Sequence, residues 1–291
     1  LRYHRRALAV VLLIVGAGAV LFHRKAFTYS GSGRLAGVIW PVPATQVAHF
    51  AALFAGITIV LWFVHLVRPR TALIGTGLSV IAMILTHTRT AVVAMLVGLL
   101  VAAVSLYLTR QRVRRAFAVT AVAGGLIALS FAPFLSGWFF RGQTSSEFDG
   151  LTGRSNVWAE VTAQPRTELN TIFGFGMSND SFNGLSIDSA WYAAYLNQGL
   201  LGDVADGAAL LALFLIALMT PRGPRQALAL FIVTYTLIQS FTQTGLGEAS
   251  PCMLDLMVTA SLLMAPIGTG DPSDQSSADI ATGAPSPFSS P

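Results

Sequence analysis

The chain has 291 residues, of which 54% are hydrophobic and only 11% charged, and its mean hydropathy is +0.65. Soluble domains carry about 25% charged residues, so this composition excludes an ordinary water-soluble domain and indicates one built for lipid. Net charge is +5 with Lys25 as the single lysine, and no basic stripe interleaved with aromatics occurs, which excludes nucleic acid as the expected partner.

A membrane-spanning helix needs about 20 mainly apolar residues. Eight runs approach that length, at roughly 6–22, 46–67, 71–87, 90–109, 116–137, 198–219, 226–243 and 251–267. The expected fold is therefore all-α and polytopic, a membrane domain over 1–267 followed by a tail. Arg5-Arg6 before a short apolar run also fits a signal sequence, but no small-residue cleavage site precedes His23, which favours an uncleaved first helix.

Basic residues orient the chain. With the N-terminus inside, the inner loops hold eleven (Arg2, Arg5, Arg6, Arg68, Arg70, Arg110, Arg112, Arg114, Arg115, Arg222 and Arg225) and the outer loops seven. The seven are Arg24, Lys25, Arg34, Arg89, Arg141, Arg154 and Arg166. Both termini are then cytoplasmic, as expected of a multi-pass membrane protein.

A single helix over 71–109 would run about 58 Å at 1.5 Å per residue, too long for a ~30 Å hydrocarbon core. A hairpin turning at Thr86-His87-Thr88-Arg89-Thr90 resolves this and carries Arg89 to the outer face. The polar stretch 138–187 becomes one large extracytoplasmic loop flanked by Trp138-Phe139-Phe140 and Trp191-Tyr192. The tail 268–291, rich in Ser, Pro, Asp and Gly, is expected to be disordered.

Cys252 is the only cysteine, which excludes an internal disulfide and a multi-cysteine metal site. His4, His23, His49, His65 and His87 never pair at i, i+4, so neither a metal nor another cofactor is expected. With no histidine beyond residue 87 and no Gly-x-Ser-x-Gly run, covalent serine catalysis is disfavoured.

Outward arginines and one carboxylate remain. Arginine keeps its charge and offers a planar fork suited to phosphate oxygens. Arg154, followed by Asn156 and Trp158, reads as a phosphate clamp; Arg89 divides between that role and a structural partner for a buried acid. Arg141 and Arg166 read more readily as solvated charges, with phosphate binding as the alternative. Asp188 stands where the loop meets the next helix, as an N-cap, a general base, or both. Asp203 and Asp206 fall one turn apart just inside the outer boundary, and Asp255 one turn into the last span. Acids at such depth face a partner in the bundle, and Arg89 is a candidate partner for at least one of the three. This set suits transfer from a diphosphate-linked lipid, with arginines stabilising the leaving phosphate and the carboxylate taking a proton.

At these residues the chain resembles the O-antigen ligase and O-antigen polymerase superfamily of multispanning glycosyltransferases. Thr88-Arg89-Thr90-Ala91 looks like its Ser-Arg-x-Ala element, and Gly153-Arg154 with Trp158 like its Gly-Arg-x-x-x-Trp element, followed by the turn Gly174-Phe-Gly176. Asp188-Ser-Ala-Trp-Tyr and Gly199-Leu-Leu-Gly202 look like its His-Asn-x-Tyr-Leu … Gly-Leu-x-Gly element, so the family-like core covers 85–205. The family's His falls on Asp188, its Asn on Ser189, and a frequent upstream Glu on Asn197. Members commonly have ten or more spans, so the resemblance implies missing N-terminal helices.

The resemblance implies transfer of a glycan from a polyprenyl-diphosphate carrier to a sugar or lipid acceptor on the outer face. Arg89 and Arg154 would hold the diphosphate and Asp188 would activate the acceptor hydroxyl. Arg141, Arg166, Asn156, Trp158, Trp191 and Asp203 would line the substrate site. The partners would be the lipid-linked glycan, its acceptor and membrane lipid. The rival readings are a transporter, expected to show half-helices broken near mid-membrane, and a non-catalytic scaffold of cell-envelope glycan assembly, which the Asp in place of His keeps open.

Overall fold

The computed structural model describes residues 1–28, 33–107, 154–176, 181–247 and 249–264. The expected span 116–137, Arg141, the first part of the large loop and the tail 268–291 lie outside the described residues. Where described, the apolar runs are helical: α1 (Arg2–Leu21), α2 (His23–Thr28), α3 (Ala44–Phe63), α4 (Pro69–Thr86) and α5 (Arg89–Tyr107). After the gap come α6 (Arg154–Ala163), α7 (Glu168–Phe173), α8 (Ala190–Met219), α9 (Pro224–Ser240) and α10 (Pro251–Met264). Five of them, α1, α3, α4, α5 and α8, are long and apolar enough to cross a membrane.

Lipid is the solvent these surfaces require. On α4, Leu73, Ile74, Leu78 and Ile81 are all more than half exposed, and on α8 so are Leu201, Val204 and Leu211. A continuous apolar face of this size is not stable against water.

The centre of the bundle is α9, although at 17 residues it is among the shorter apolar helices. Pro224 opens it, where a missing N–H costs nothing, and residues Ala227 to Thr236 are all buried. It packs against α5, α10, α8 and α3. Phe231 fixes the approach: a Cβ on Gly98 would stand 3.0 Å from its ring, and one on Gly56 would overlap it. Glycines thus let α3 and α5 close on one aromatic, the small-residue packing that membrane helices use without a hydrophobic drive between them.

Polar side chains tie the N-terminal end of α9. Ser105 donates to Gln226 Oε1 at 2.7 Å, and Gln226 Nε2 donates to the Leu218 carbonyl at 3.1 Å. Arg225 donates to the Leu262 and Leu263 carbonyls at 2.7 and 3.0 Å, capping the last turn of α10.

The hairpin between α4 and α5 turns where the sequence places it. His87 is in the left-handed region (φ 50°) and ends α4, and α5 begins at Arg89. The preceding strand-like segment joins it, with the Leu35 amide donating to the Leu85 carbonyl at 3.0 Å.

The described part of the polar stretch 138–187, expected as a loop, carries secondary structure of its own. It holds α6, α7 and a short antiparallel ladder, β1 (Ser181–Phe182) with β2 (Leu185–Ser186). The ladder turns at Asn183-Gly184, both at positive φ (50° and 79°), the dipeptide that two-residue hairpins prefer.

A break in α8 seats this loop. Gly199 has φ 69° and ψ −163°, so the helix is two pieces meeting at that residue. The freed carbonyls of Leu196 and Asn197 accept the Phe175 and Gly176 amides at 3.0 and 2.9 Å. Gly174 and Gly199 lie back to back; a Cβ on either would collide with the other segment's backbone. The apolar run expected from residue 198 is therefore the second piece of a helix that begins at Ala190 and breaks at Gly199.

Candidate active site

Asp188 stands two residues before the first residue of α8 and has φ 46°, a left-handed backbone that aspartate tolerates better than most residues. Its expected role as N-cap is corrected. Ser189 occupies the cap position, and the Asp188 carboxylate turns away from the helix. One oxygen accepts from Arg154 Nε at 3.2 Å and the other from Ser186 Oγ at 2.6 Å. The pair is partly open to solvent, the side chains being 25% and 41% exposed.

Arg154 is the first residue of α6, so the short helix sets its position. Trp158, one turn later, donates from Nε1 to the Ile187 carbonyl at 2.8 Å and stacks on Tyr192 with centroids 4.9 Å apart. Val157 and Val161 pack with Ile187, Ala193 and Leu196 beneath. One small apolar cluster therefore holds α6 against the start of α8 and fixes the ion pair's geometry.

A second cation stands beside it. Arg34 donates from Nε to the Thr86 carbonyl at 2.8 Å and from Nη2 to Thr88 Oγ1 at 2.9 Å. Burial, and after it the nearby Arg154 guanidinium, lower the Arg34 pKa from its usual value, while Asp188 acts in the opposite sense. Arg34 thus links the α4–α5 turn, and with it the first turn of α5 where Arg89 begins, to the Arg154–Asp188 pair. The sequence reading counts Arg34 only as an outer-loop charge. Nothing in its local sequence signals more, because its partners lie 52 and 54 residues away.

Other expected site residues take structural positions. Arg166 is not a solvated surface charge: it donates to the Tyr195 and Val161 carbonyls at 3.0 and 3.1 Å. Its guanidinium lies 4.1 Å over the Tyr195 ring and 5.2 Å over Phe175, contacts that bind α6, α7 and α8 together. Trp191 donates to Ser240 Oγ at 3.0 Å, bridging α8 to α9. Asn156 is exposed on α6. Asp203 lies on α8 beyond the Gly199 break, with one carboxylate oxygen buried and without a hydrogen bond, as has Asp206.

Asp255 has partners other than the expected Arg89. Its carboxylate faces His49 Nε2 at 2.9 Å and His4 Nε2 at 3.4 Å. Histidines 45 residues apart in sequence converge on one acid, which no i, i+4 test detects. Among the described residues no group of three or more His, Cys, Asp or Glu could hold a metal ion.

The exposed cluster can bind an anion and offer a carboxylate to a hydroxyl beside it. Arg34 and Arg154 present guanidinium charge around a carboxylate that already accepts from a serine hydroxyl. Comparison of the chain with protein-family models, with curated proteins and with solved structures finds no match to any of them.

Proposed function

We propose that the protein is a membrane glycosyltransferase of the O-antigen ligase and polymerase type. It would move a glycan from a polyprenyl-diphosphate carrier to a sugar or lipid acceptor at the outer membrane face. The observation that carries this reading is the Asp188 carboxylate held at 3.2 Å from Arg154, in the field of Arg34. Two cations and one base in one cluster suit a reaction whose leaving group is a diphosphate.

In that reaction an acceptor hydroxyl attacks the anomeric carbon of the carrier-linked sugar. The new C–O bond forms as the bond to the diphosphate oxygen breaks, and the leaving diphosphate takes the electron pair. Arg154 and Arg34, with Arg89 at the adjoining turn, stabilise that developing charge. Asp188 accepts the hydroxyl proton; carboxylate is a weaker base than the imidazole the resemblance would put there, so most of the rate must come from phosphate stabilisation. Ser186, already donating to Asp188 at 2.6 Å, occupies the place an acceptor hydroxyl would take.

Reconstitution of the full chain with a lipid-diphosphate glycan and an acceptor tests the reading. Arg154→Ala and Asp188→Ala are each expected to abolish polymer or conjugate while protein level in the membrane is unchanged. Near-wild-type product from both variants would favour the scaffold, in which the pair merely neutralises itself.

A further inference from the structure

A second polar cluster lies inside the bundle, away from the proposed active site. Asp255 on α10 and His49 on α3 are each 1% exposed, and His4 on α1 completes the set. The ring nitrogens stand 2.9 and 3.4 Å from the carboxylate but off the hydrogen-bonding line, so charge holds them more than a straight bond. A lone carboxylate at this depth is costly, and one extra proton on the rings makes the cluster neutral.

His49 is built to exist with or without that proton. Its Nδ1 lies 3.2 Å from Tyr235 Oη, and the same hydroxyl lies 3.4 Å from the His49 carbonyl. Gln239 Nε2 donates to Tyr235 Oη at 3.1 Å, so the hydroxyl keeps one hydrogen to place. Over a neutral ring it donates to Nδ1. Over a charged ring it accepts from Nδ1–H and turns its hydrogen to the carbonyl. Neither state leaves Nδ1 unpaired, whereas a permanent ion pair would need only one of these arrangements.

Beside the cluster lies a cavity of about 450 Å³, lined by Leu8, Val11 and Phe50 together with His4, Ser250 and Asp255. The other titratable groups on the packed elements are Arg2, Tyr3, Arg5 and Arg6 on α1, His23, Arg24 and Lys25 on α2, Arg70 on α4, Arg89 on α5, Tyr192, Tyr195, Asp203 and Asp206 on α8, Cys252 on α10, and Arg225, which is spent on the end of α10. Among the described residues the ion-pair contacts of Asp255 are both with histidine.

We propose that His49, Asp255 and His4, with the Tyr235 hydroxyl as a rotor, form a buried, reversible proton-binding site. The proton adds to His49 Nδ1 and only the Tyr235 O–H changes partner. Imidazole is the side chain suited to such exchange between pH 5 and 8.

Solid-state ¹⁵N NMR on the histidine-labelled full chain in lipid vesicles tests this, since the chain has five histidines and ring shifts separate neutral from charged forms. His49→Gln assigns the signal. The His49 ring is expected to pass from neutral to imidazolium between pH 9 and 5. Tyr235→Phe, which keeps the ring packing, removes the charged ring's partner, and the imidazolium-to-neutral ratio at a given pH should fall about tenfold, the equivalent of ~1.4 kcal/mol. A His49 ring fixed in one form across the range, or a titration that Tyr235→Phe leaves unmoved, overturns the proposal. The result is independent of glycan transfer.

Discussion

Arg34 shows how one side chain can hold two roles that respond differently to substitution. As a cap on the C-terminal carbonyl of α4 it stabilises a helix end by about 0.3–1 kcal/mol. As a charge beside Arg154 it would meet the diphosphate, where a hydrogen bond to a charged group contributes roughly 1.5–3 kcal/mol. Arg34→Gln keeps a donor for the Thr86 carbonyl and removes the charge. Thermal stability should change by less than ~1 kcal/mol, while KM for the carrier substrate rises at least tenfold; a KM equal to wild type would remove Arg34 from the site. Arg154 and Asp188 were legible because each sits in a short recognisable run. Arg34 was not, because its significance arises only from contacts that cross more than 50 residues. Arg166 misled for the converse reason: a charge in a polar loop looks solvated until Tyr195 and Phe175 fold over it.

At the scale of elements, apolar run length placed the helices well, because hydrocarbon thickness sets span length directly. The turn at Thr86–Arg89 followed from the same arithmetic. What run length could not convey is the interruption of α8 at Gly199, since the residues on both sides remain helical and apolar. The Asn183-Gly184 dipeptide did carry a hairpin signal that an all-helical expectation passes over. The Gly199 break makes a specific prediction. Gly199→Ala meets both an unfavourable positive φ and the backbone of Ile172 and Gly174, so loop and helix must part. Hydrogen exchange at the Phe175 and Gly176 amides should quicken by orders of magnitude, while α9 amides keep their protection. Unchanged exchange at both amides would mean that the seam tolerates a methyl group.

For the whole molecule, stability rests on α9 and the helices that close on Phe231. Phe231→Ala should cost about 3–5 kcal/mol by opening a cavity. Gly56→Ala should also destabilise, since its Cβ overlaps the ring. The two changes are in contact and should not add: the double variant is expected to be more stable than the sum of the singles implies, in thermal unfolding in detergent or lipid. Strict additivity would show that α3 does not lean on that ring. The sequence marked this helix only as one apolar run among eight, at 226–243. Its central place depends on burial from four sides, and a polar sprinkling of Thr234, Thr236 and Gln239 lowers its apparent hydropathy without making it peripheral.

The cap that Arg34 makes has a consequence for biosynthesis. A ribosome delivers Arg34 and the α4–α5 turn long before Arg154 and Asp188, and the ion pair cannot exist until α8 has emerged and entered the bilayer. Through that interval Arg34 already has the Thr86 carbonyl and the Thr88 hydroxyl to hold it. The half-made protein therefore parks a guanidinium at the position it will need, and the late-arriving loop closes onto a cation already in place.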